Sequence, residues 1–184
     1  MELTRSLVET QAREYREREP LYAVERENIE TLPDAFATGE YGRRDAAWVV
    51  RWYYRRFLGA YPDDERRDAE ERFWENDFET VRRAIADVVD ATDAAAGLAR
   101  LTDLAAVDVP VGSAFLMFVD PDEYIVVGPR EWSALREAEA LSRPYPDPPA
   151  IPEYVDYLER CRSLTARLEC NYWTLYRALW RLSS

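Results

Sequence analysis

The fold is constrained most by residues 104–135, which read LAAVDVPVGSAFLMFVDPDEYIVVGPREWSAL. One apolar segment breaks off at residues 106–109, and a second apolar run, residues 111–119, stops at residues 120–121. A short crossover then leads to a helix that begins near Pro129, because proline suits the first turn of a helix, where its missing N–H has no partner. The spacing predicts a helix, a hairpin, a second helix, a crossover and a third helix.

The residues of this stretch carry a resemblance to a known family. They are Leu104, Val107, Val109, Pro110, Ser113, Ala114 and Leu116, followed by Asp120, Pro121, Tyr124, Val126, Arg130, Trp132 and Leu135. This series resembles the helix-hairpin-helix DNA glycosylase superfamily, and especially a poorly characterised branch of glycosylase-like proteins. The branch reads roughly L-P-G-V-G-V-P-T-A-S-A-I-L, then D-P-E-x-Y-x-V-I-D-x-R-x-W-x-x-L. The resemblance extends over about residues 36–184.

The resemblance implies where a hairpin and a catalytic group would lie. The hairpin would consist of Ala106, Val107, Asp108 and Val109, and the family has glycines at the first and third of these positions. Those glycines let backbone N–H groups approach a DNA phosphate, whereas the carboxylate of Asp108 would repel it. The family's catalytic aspartate corresponds to Gly128, which has no side chain. These departures argue against catalysis and against anchoring of the hairpin on DNA.

The residue types that the chain lacks exclude several chemistries. It contains no histidine, and all 24 of its basic residues are arginine. Without histidine there is no Ser-His-Asp or Cys-His nucleophile pair and no ordinary His-ligated zinc site. Without lysine there is no Schiff base, which excludes the lyase mechanism of bifunctional glycosylases. We therefore expect no metal and no cofactor.

The two cysteines, Cys161 and Cys170, are too few for the four-cysteine iron–sulfur cluster that some glycosylases carry. On a single helix they would lie about 13 Å apart, which is too far for a disulfide, although a bend between them would allow one. Cys161 falls on an apolar stripe with Leu158 and Leu164. This position predicts a buried free thiol.

The net charge of −12 argues against a nucleic-acid partner, because phosphates are neutralised by basic residues. Abundant aspartate and glutamate without lysine is, however, typical of proteins from extreme halophiles. At 1 M salt the Debye length is only about 3 Å, so net charge there reports on solubility more than on partners. We interpret the protein as halophilic.

The best candidate phosphate-binding surface lies on a predicted helix from Asp45 to Leu58. Residues 43–58 hold five arginines against one aspartate. Together with the crossover motif, this segment supplies the DNA-binding candidates, which are Arg44, Arg51, Arg55 and Arg130. Alternatively, the helix arginines form salt bridges to the glutamate-rich N-terminal region, and Arg130 forms a structural salt bridge. Trp48 and Trp52, four residues apart, are interpreted as core residues rather than as a base-stacking platform.

The rest of the chain has the pattern of helices joined by turns. A short helix is expected at residues 24–32, and residues 141–152, with five prolines, form a loop. β-type alternation is nearly absent, so the predicted class is all-α. Apolar residues recur at helical spacing in residues 2–18, 77–91, 94–104, 153–169 and 171–182.

The resemblance implies a two-lobed, DNA-glycosylase-like arrangement with a degenerate helix-hairpin-helix. The chain would be a single domain, residues 1–184. One lobe would span about residues 36–141, with the hairpin segment at residues 104–119. The other would combine residues 1–35 with residues 142–184, and a cleft would separate the two.

The favoured interpretation is a non-catalytic glycosylase-like protein that recognises DNA structure or lesions through this cleft. One alternative is a structural or protein-interaction module that no longer binds DNA, and another is a monofunctional DNA glycosylase. Double-stranded DNA and a protein are therefore the candidate partners. No run approaches 18 consecutive apolar residues, and the N-terminus is charged throughout, so we expect no membrane association and a cytoplasmic location.

Overall fold

Helices make up the whole of the regular structure. The computed structural model describes residues 1–57 and 59–183, and these residues form ten α-helices and no strand. The predicted all-α class is therefore confirmed. In chain order the helices are α1 (Arg5–Arg18), α2 (Tyr22–Thr38), α3 (Arg43–Arg55), α4 (Asp63–Trp74), α5 (Phe78–Val89), α6 (Ala94–Leu101), α7 (Val109–Val119), α8 (Pro129–Glu137), α9 (Ile151–Leu168) and α10 (Tyr172–Leu182).

Polar side chains define where many of these helices begin. A cap accepts a backbone N–H in the first turn of α1, α5, α6, α7 and α10, and these caps are Thr4, Asp77, Asp93, Asp108 and Asn171. In α3 the cap is Gly42 rather than the predicted Asp45. Asp45 lies three residues further on, and its Oδ2 accepts the N–H of Gly42 at 2.7 Å. Leu58, the predicted end of this helix, lies outside the described residues.

The second helix is longer than the sequence pattern predicts. It covers Tyr22–Thr38 instead of residues 24–32, although Pro33 lies inside it and offers no N–H to the preceding turn. The helix continues past the proline because Phe36 is buried in the core. It ends at Gly39, whose φ of 75° is in the left-handed region that favours glycine. Tertiary packing outweighs the proline here.

Buried apolar side chains from all ten helices form one connected core, in which α1 packs mainly against α10. Trp52 of α3 packs edge-on against Phe118 of α7, with ring centroids 4.9 Å apart, and the half-buried Trp48 lies 5.1 Å from the same ring. The interpretation as a core residue is confirmed for Trp52, whereas Trp48 is partly buried and packs against the core. The division into two lobes stays a prediction.

The crossover between α7 and α8 has no helix or strand, and side chains hold its buried part, residues 125–128, inside the core. The N–H of Val127 donates to the Ser113 hydroxyl at 2.9 Å. Two tyrosines of α9, Tyr154 and Tyr157, donate to the carbonyls of residues 125 and 126 at 3.0 and 2.9 Å. These bonds satisfy buried backbone groups that have no strand partner, and they fix the position from which α8 begins. Among the described residues, no helix is both long and apolar enough to span a membrane.

Candidate functional site

Gly128, at which the resemblance would place a catalytic aspartate, immediately precedes α8. Its φ of −161° is extended backbone, which any residue adopts, so backbone strain does not require glycine there. The space around residue 128 does require glycine. A Cβ on Gly128 would lie 2.6 Å from Nη2 of Arg56 and 2.7 Å from Oε2 of Glu131, closer than Cβ atoms normally approach a neighbour. The room for a side chain at residue 128 is already occupied.

Arg56 and Glu131 form an ion pair inside the core, through Nη1 and Oε1. Their side chains are 1% and 0% exposed. Nε of Arg56 also donates to the carbonyl of Tyr53 at 3.2 Å, whereas Nη2 of Arg56 and Oε2 of Glu131 have no hydrogen-bond partner among the described residues. Because the pair is enclosed, its carboxylate does not face solvent or a substrate.

Aromatic rings surround the guanidinium group of Arg56. Burial by itself would lower the pKa of Arg56, but the charge of Glu131, with further contributions from neighbouring tyrosines, outweighs this effect and shifts the pKa upward. The faces of aromatic rings also attract a cation. The ring centroids lie 4.5–5.9 Å from the guanidinium carbon and belong to Trp52, Tyr53, Phe57, Tyr176 and Trp180.

The five rings around Arg56 form an aromatic cage, and a second buried carboxylate, that of Glu25, lies next to it. The Tyr15 hydroxyl donates to it at 2.7 and 2.8 Å from the two oxygens, and Nε1 of Trp52 donates at 2.9 Å. The hydroxyl of Tyr176 is 3.2 Å from that of Tyr15. Burial raises the pKa of Glu25, and the hydrogen bonds from Tyr15 and Trp52 offset part of that rise. Since Trp52 and Tyr176 also border Arg56, Glu25 and the Arg56–Glu131 pair belong to one buried polar seam.

The segment predicted as a hairpin contains a turn at residues 105–106, and a carboxylate caps the helix that follows. Ala106 has a φ of 64°, in the left-handed region that favours glycine, and Val107 is buried. Asp108 caps α7, and its Oδ1 accepts the N–H of Val111 at 3.0 Å. Val109, predicted as part of the hairpin, is instead the first residue of α7 because this cap starts the helix one residue earlier. Partial burial of its carboxyl raises the pKa of Asp108, and the N–H of Val111 opposes the shift.

The candidate arginines of α3 differ in their contacts. Nε of Arg51 lies 3.1 Å from Oε2 of Glu70 in α4. The ion pairing considered for these arginines thus exists for Arg51, but with α4 and not with the N-terminal region. Arg44 and Arg55 are exposed, and neither forms an ion pair within residues 1–57 and 59–183. Only these two remain available to an external anion on this face of α3.

Arg130 belongs to α8 and lies against Trp180 of α10. Its guanidinium carbon is 4.3 Å from the ring centroid of Trp180, and the same ring is 5.3 Å from that of Phe57. Arg130 is half-buried and has no carboxylate partner in the described part of the chain, so the alternative of a structural salt bridge is not supported. Arg130 therefore contacts one ring of the aromatic cage, that of Trp180.

Sequence reasoning did not identify Glu25, Arg56 or Glu131, the three charged residues of the core. A signal was present in the helical spacing. Arg56 follows Trp52 by four residues and Glu131 precedes Leu135 by four, so both lie in line with apolar residues. A charged residue in an apolar stripe indicates a buried polar group that needs a partner.

The cysteines agree with the sequence-based interpretation. Cys161 is buried, Cys170 is half-buried, and both are free thiols. Burial raises the pKa of the Cys161 thiol. No group of three or more acidic, cysteine or histidine side chains in the described residues is arranged to hold a metal ion.

No family of proteins, no curated protein and no solved structure matches the chain. The resemblance to the helix-hairpin-helix glycosylases therefore rests on the quoted residues alone. An activity that is inferred from this resemblance is therefore a proposal.

Proposed function

We propose that the protein is a non-catalytic, glycosylase-like module that recognises DNA structure or lesions without excising a base. The observation that supports this most is the environment of Gly128. A monofunctional glycosylase needs a carboxylate near the anomeric carbon and a pocket for the flipped base. Here residue 128 has no side chain, and the neighbouring carboxylate of Glu131 is 0% exposed and paired with Arg56.

The proposed phosphate contacts are Arg55 and Arg130. Arg130 lies 4.3 Å from the ring centroid of Trp180, and the same ring is 5.1 Å from the guanidinium carbon of Arg56, the residue that follows the exposed Arg55. Neither has an ion-pair partner within the described residues, so both can contact phosphate without breaking an internal bond. Arg44 lies on the same face of α3, about 16 Å away along the helix axis, and would extend this surface. Arg51 is a weaker candidate because Glu70 already holds it.

A protein-interaction module that no longer binds DNA is the second candidate. It is favoured by the Asp108 carboxylate at the N-terminus of α7, which is the position where a helix would otherwise attract a phosphate. The partners of this module would be unrelated to nucleic acid. The two candidates differ in one measurable property, the affinity of the folded protein for duplex DNA.

The test is fluorescence anisotropy of labelled intact, mismatched and abasic-site duplexes over a range of NaCl concentrations. Circular dichroism must confirm that the protein is folded at each concentration. Each phosphate contact contributes about one to the slope of log K against log salt, so the R55Q/R130Q variant should lower the slope by about two. Arg100→Gln is the control for the loss of one positive charge outside the proposed surface, since it changes an exposed arginine that pairs with Asp87 at 3.7 Å.

Alkali treatment of the same samples reveals abasic sites left by base excision. Lesion-preferring binding without strand breaks supports a non-catalytic recognition module. Strand breaks that depend on the protein would contradict the inactivity inferred from Gly128. If the folded protein binds none of the duplexes, DNA recognition is refuted and the interaction module is the better account.

A further inference from the structure

A groove of about 720 Å³ lies between α9 and residues 138–143, which follow α8. This volume falls within the range of roughly 300–1,000 Å³ that is typical of small-molecule pockets. The groove is at the opposite end of α8 from Gly128. None of the residues assigned above to DNA contacts lines it.

Arginines without ionic partners line this groove. Arg143, Arg160 and Arg167 are exposed, and none of them forms an ion pair within residues 1–57 and 59–183. Arg160 and Arg167 are seven residues apart on α9, so they lie on one face of the helix about 10 Å apart. Nη2 of Arg167 makes one long contact, 3.5 Å, with the carbonyl of Leu3. Their guanidinium groups are otherwise available.

Carboxylates line the groove as well. They are Glu139, Glu153, Asp156 and Glu159. Glu159 is paired with Arg162 at 2.7 Å, whereas the N–H of Ala150 that Glu153 accepts at 2.7 Å leaves the charge of Glu153 in place. Three carboxylates therefore remain against the three arginines, so an anion would be held by direct contacts with the guanidinium groups and not by a net positive charge of the groove.

The wall of the groove is held in place by Trp132. Its Nε1 donates to the carbonyl of Arg143 at 2.9 Å, and its ring is stacked on Tyr157 of α9, with centroids 5.9 Å apart and planes 8° apart. The backbone of Arg143 is thereby fixed relative to α9. Leu3, Leu141 and Leu164 supply an apolar part of the lining.

We propose that this groove binds a small organic anion that carries phosphate or carboxylate groups. The planar guanidinium group presents paired N–H donors that match both kinds of anion, and arginine is the residue best suited to hold them. The leucines would contact the organic part of the ligand. This proposal does not depend on the DNA-recognition proposal, because the two surfaces share no residue.

The test is a titration followed by ¹⁵N–¹H NMR, with AMP, citrate and inorganic pyrophosphate as separate probes. The chain has six tryptophans, so six indole N–H resonances report on different sites, and that of Trp132 reports on the groove. Assignment uses the Trp132→Phe spectrum. The variants compared are R160Q/R167Q and, as the control, Arg100→Gln, which changes an exposed arginine that, like its partner Asp87, does not line the groove.

We expect at least one probe to shift the Trp132 indole resonance in a saturable way. We also expect R160Q/R167Q to weaken binding roughly tenfold or more, since two charge-assisted hydrogen-bonding groups are lost, while Arg100→Gln changes it little. A preference for AMP and pyrophosphate over citrate would identify phosphate as the recognised group, and the reverse order would identify carboxylate. The proposal is overturned if no probe moves this resonance, or if both variants bind as the unaltered protein does.

Discussion

Adding one methyl group at Gly128 tests whether the Arg56–Glu131 pair fills the space of the missing side chain. In Gly128→Ala the new Cβ would lie 2.6 Å from Nη2 of Arg56 and 2.7 Å from Oε2 of Glu131. Neither group can swing into solvent, because the two side chains are 1% and 0% exposed. The substitution must therefore displace the ion pair or the start of α8.

The matched control is Gly42→Ala. Both glycines precede a helix as its N-cap and both have extended backbone, with φ of −161° at Gly128 and −101° at Gly42. A Cβ on Gly42 would meet only Oδ2 of Asp45, at 3.7 Å, which is ordinary contact. The control thus includes the loss of a glycine cap but no overlap.

Overpacking in a core costs about 1–3 kcal/mol. We expect the free energy of unfolding of Gly128→Ala to fall about 2 kcal/mol below that of Gly42→Ala. For a chain of this length that corresponds to a Tm lower by about 4–8 °C. Urea and thermal unfolding, followed by circular dichroism in molar NaCl, measure both quantities. If the free energies of unfolding of the two variants agree within about 0.5 kcal/mol, the ion pair moves aside at little cost. The conclusion that residue 128 has no room for a side chain is then refuted.

Other predictions concern the buried polar groups and the thiols. Burial raises the pKa of Glu25 above its ordinary 4.5. The protonated carboxyl therefore stabilises the folded state at low pH, and this stabilisation is lost as pH rises through the folded pKa. We expect the free energy of unfolding of Glu25→Gln, measured by urea titration, to increase relative to that of the unaltered protein as pH increases from about 5. Arg56→Met should lower the free energy of unfolding by about 3–5 kcal/mol, because it leaves Glu131 buried and unpaired. The R56M/E131L variant should recover most of that loss in the same titrations. Cys170 should react with a thiol reagent well before Cys161 in the folded protein, and equal rates would contradict the burial of Cys161.

Local sequence chemistry was sufficient to predict much of the helical layout. The start of α8 at Pro129 follows from the preference of proline for the first turn, and the structure agrees. The end of α7 before Asp120 follows from the loss of apolar periodicity. The extent of α2 beyond Pro33 could not be predicted, because it depends on burial of Phe36 against other helices. Propensity alone would stop the helix at the proline.

The candidate site was predicted only in outline. Gly128 could be identified as a departure from the resembling motif, but nothing local to it predicts what surrounds it. Arg56 and Glu131 are 75 positions apart in the chain, so their pairing is a property of how α3 and α8 pack. Arg51 and Arg55 could not be distinguished by spacing, since the difference between them is the contact of Arg51 with Glu70 on α4.

The position of the buried charges bears on whether a carboxylate at residue 128 could take part in catalysis. A catalytic carboxylate must face both solvent and the sugar, and its charge must be available to the transition state. The charge of Glu131 is instead matched by Arg56, and the aromatic cage around Arg56 excludes water from the pair. An aspartate at residue 128 would place a second carboxylate against this one, where like charges oppose each other in a medium with little water to screen them. An aspartate at residue 128 would therefore not by itself supply an available catalytic charge, because the enclosed ion pair occupies the space into which its side chain would extend.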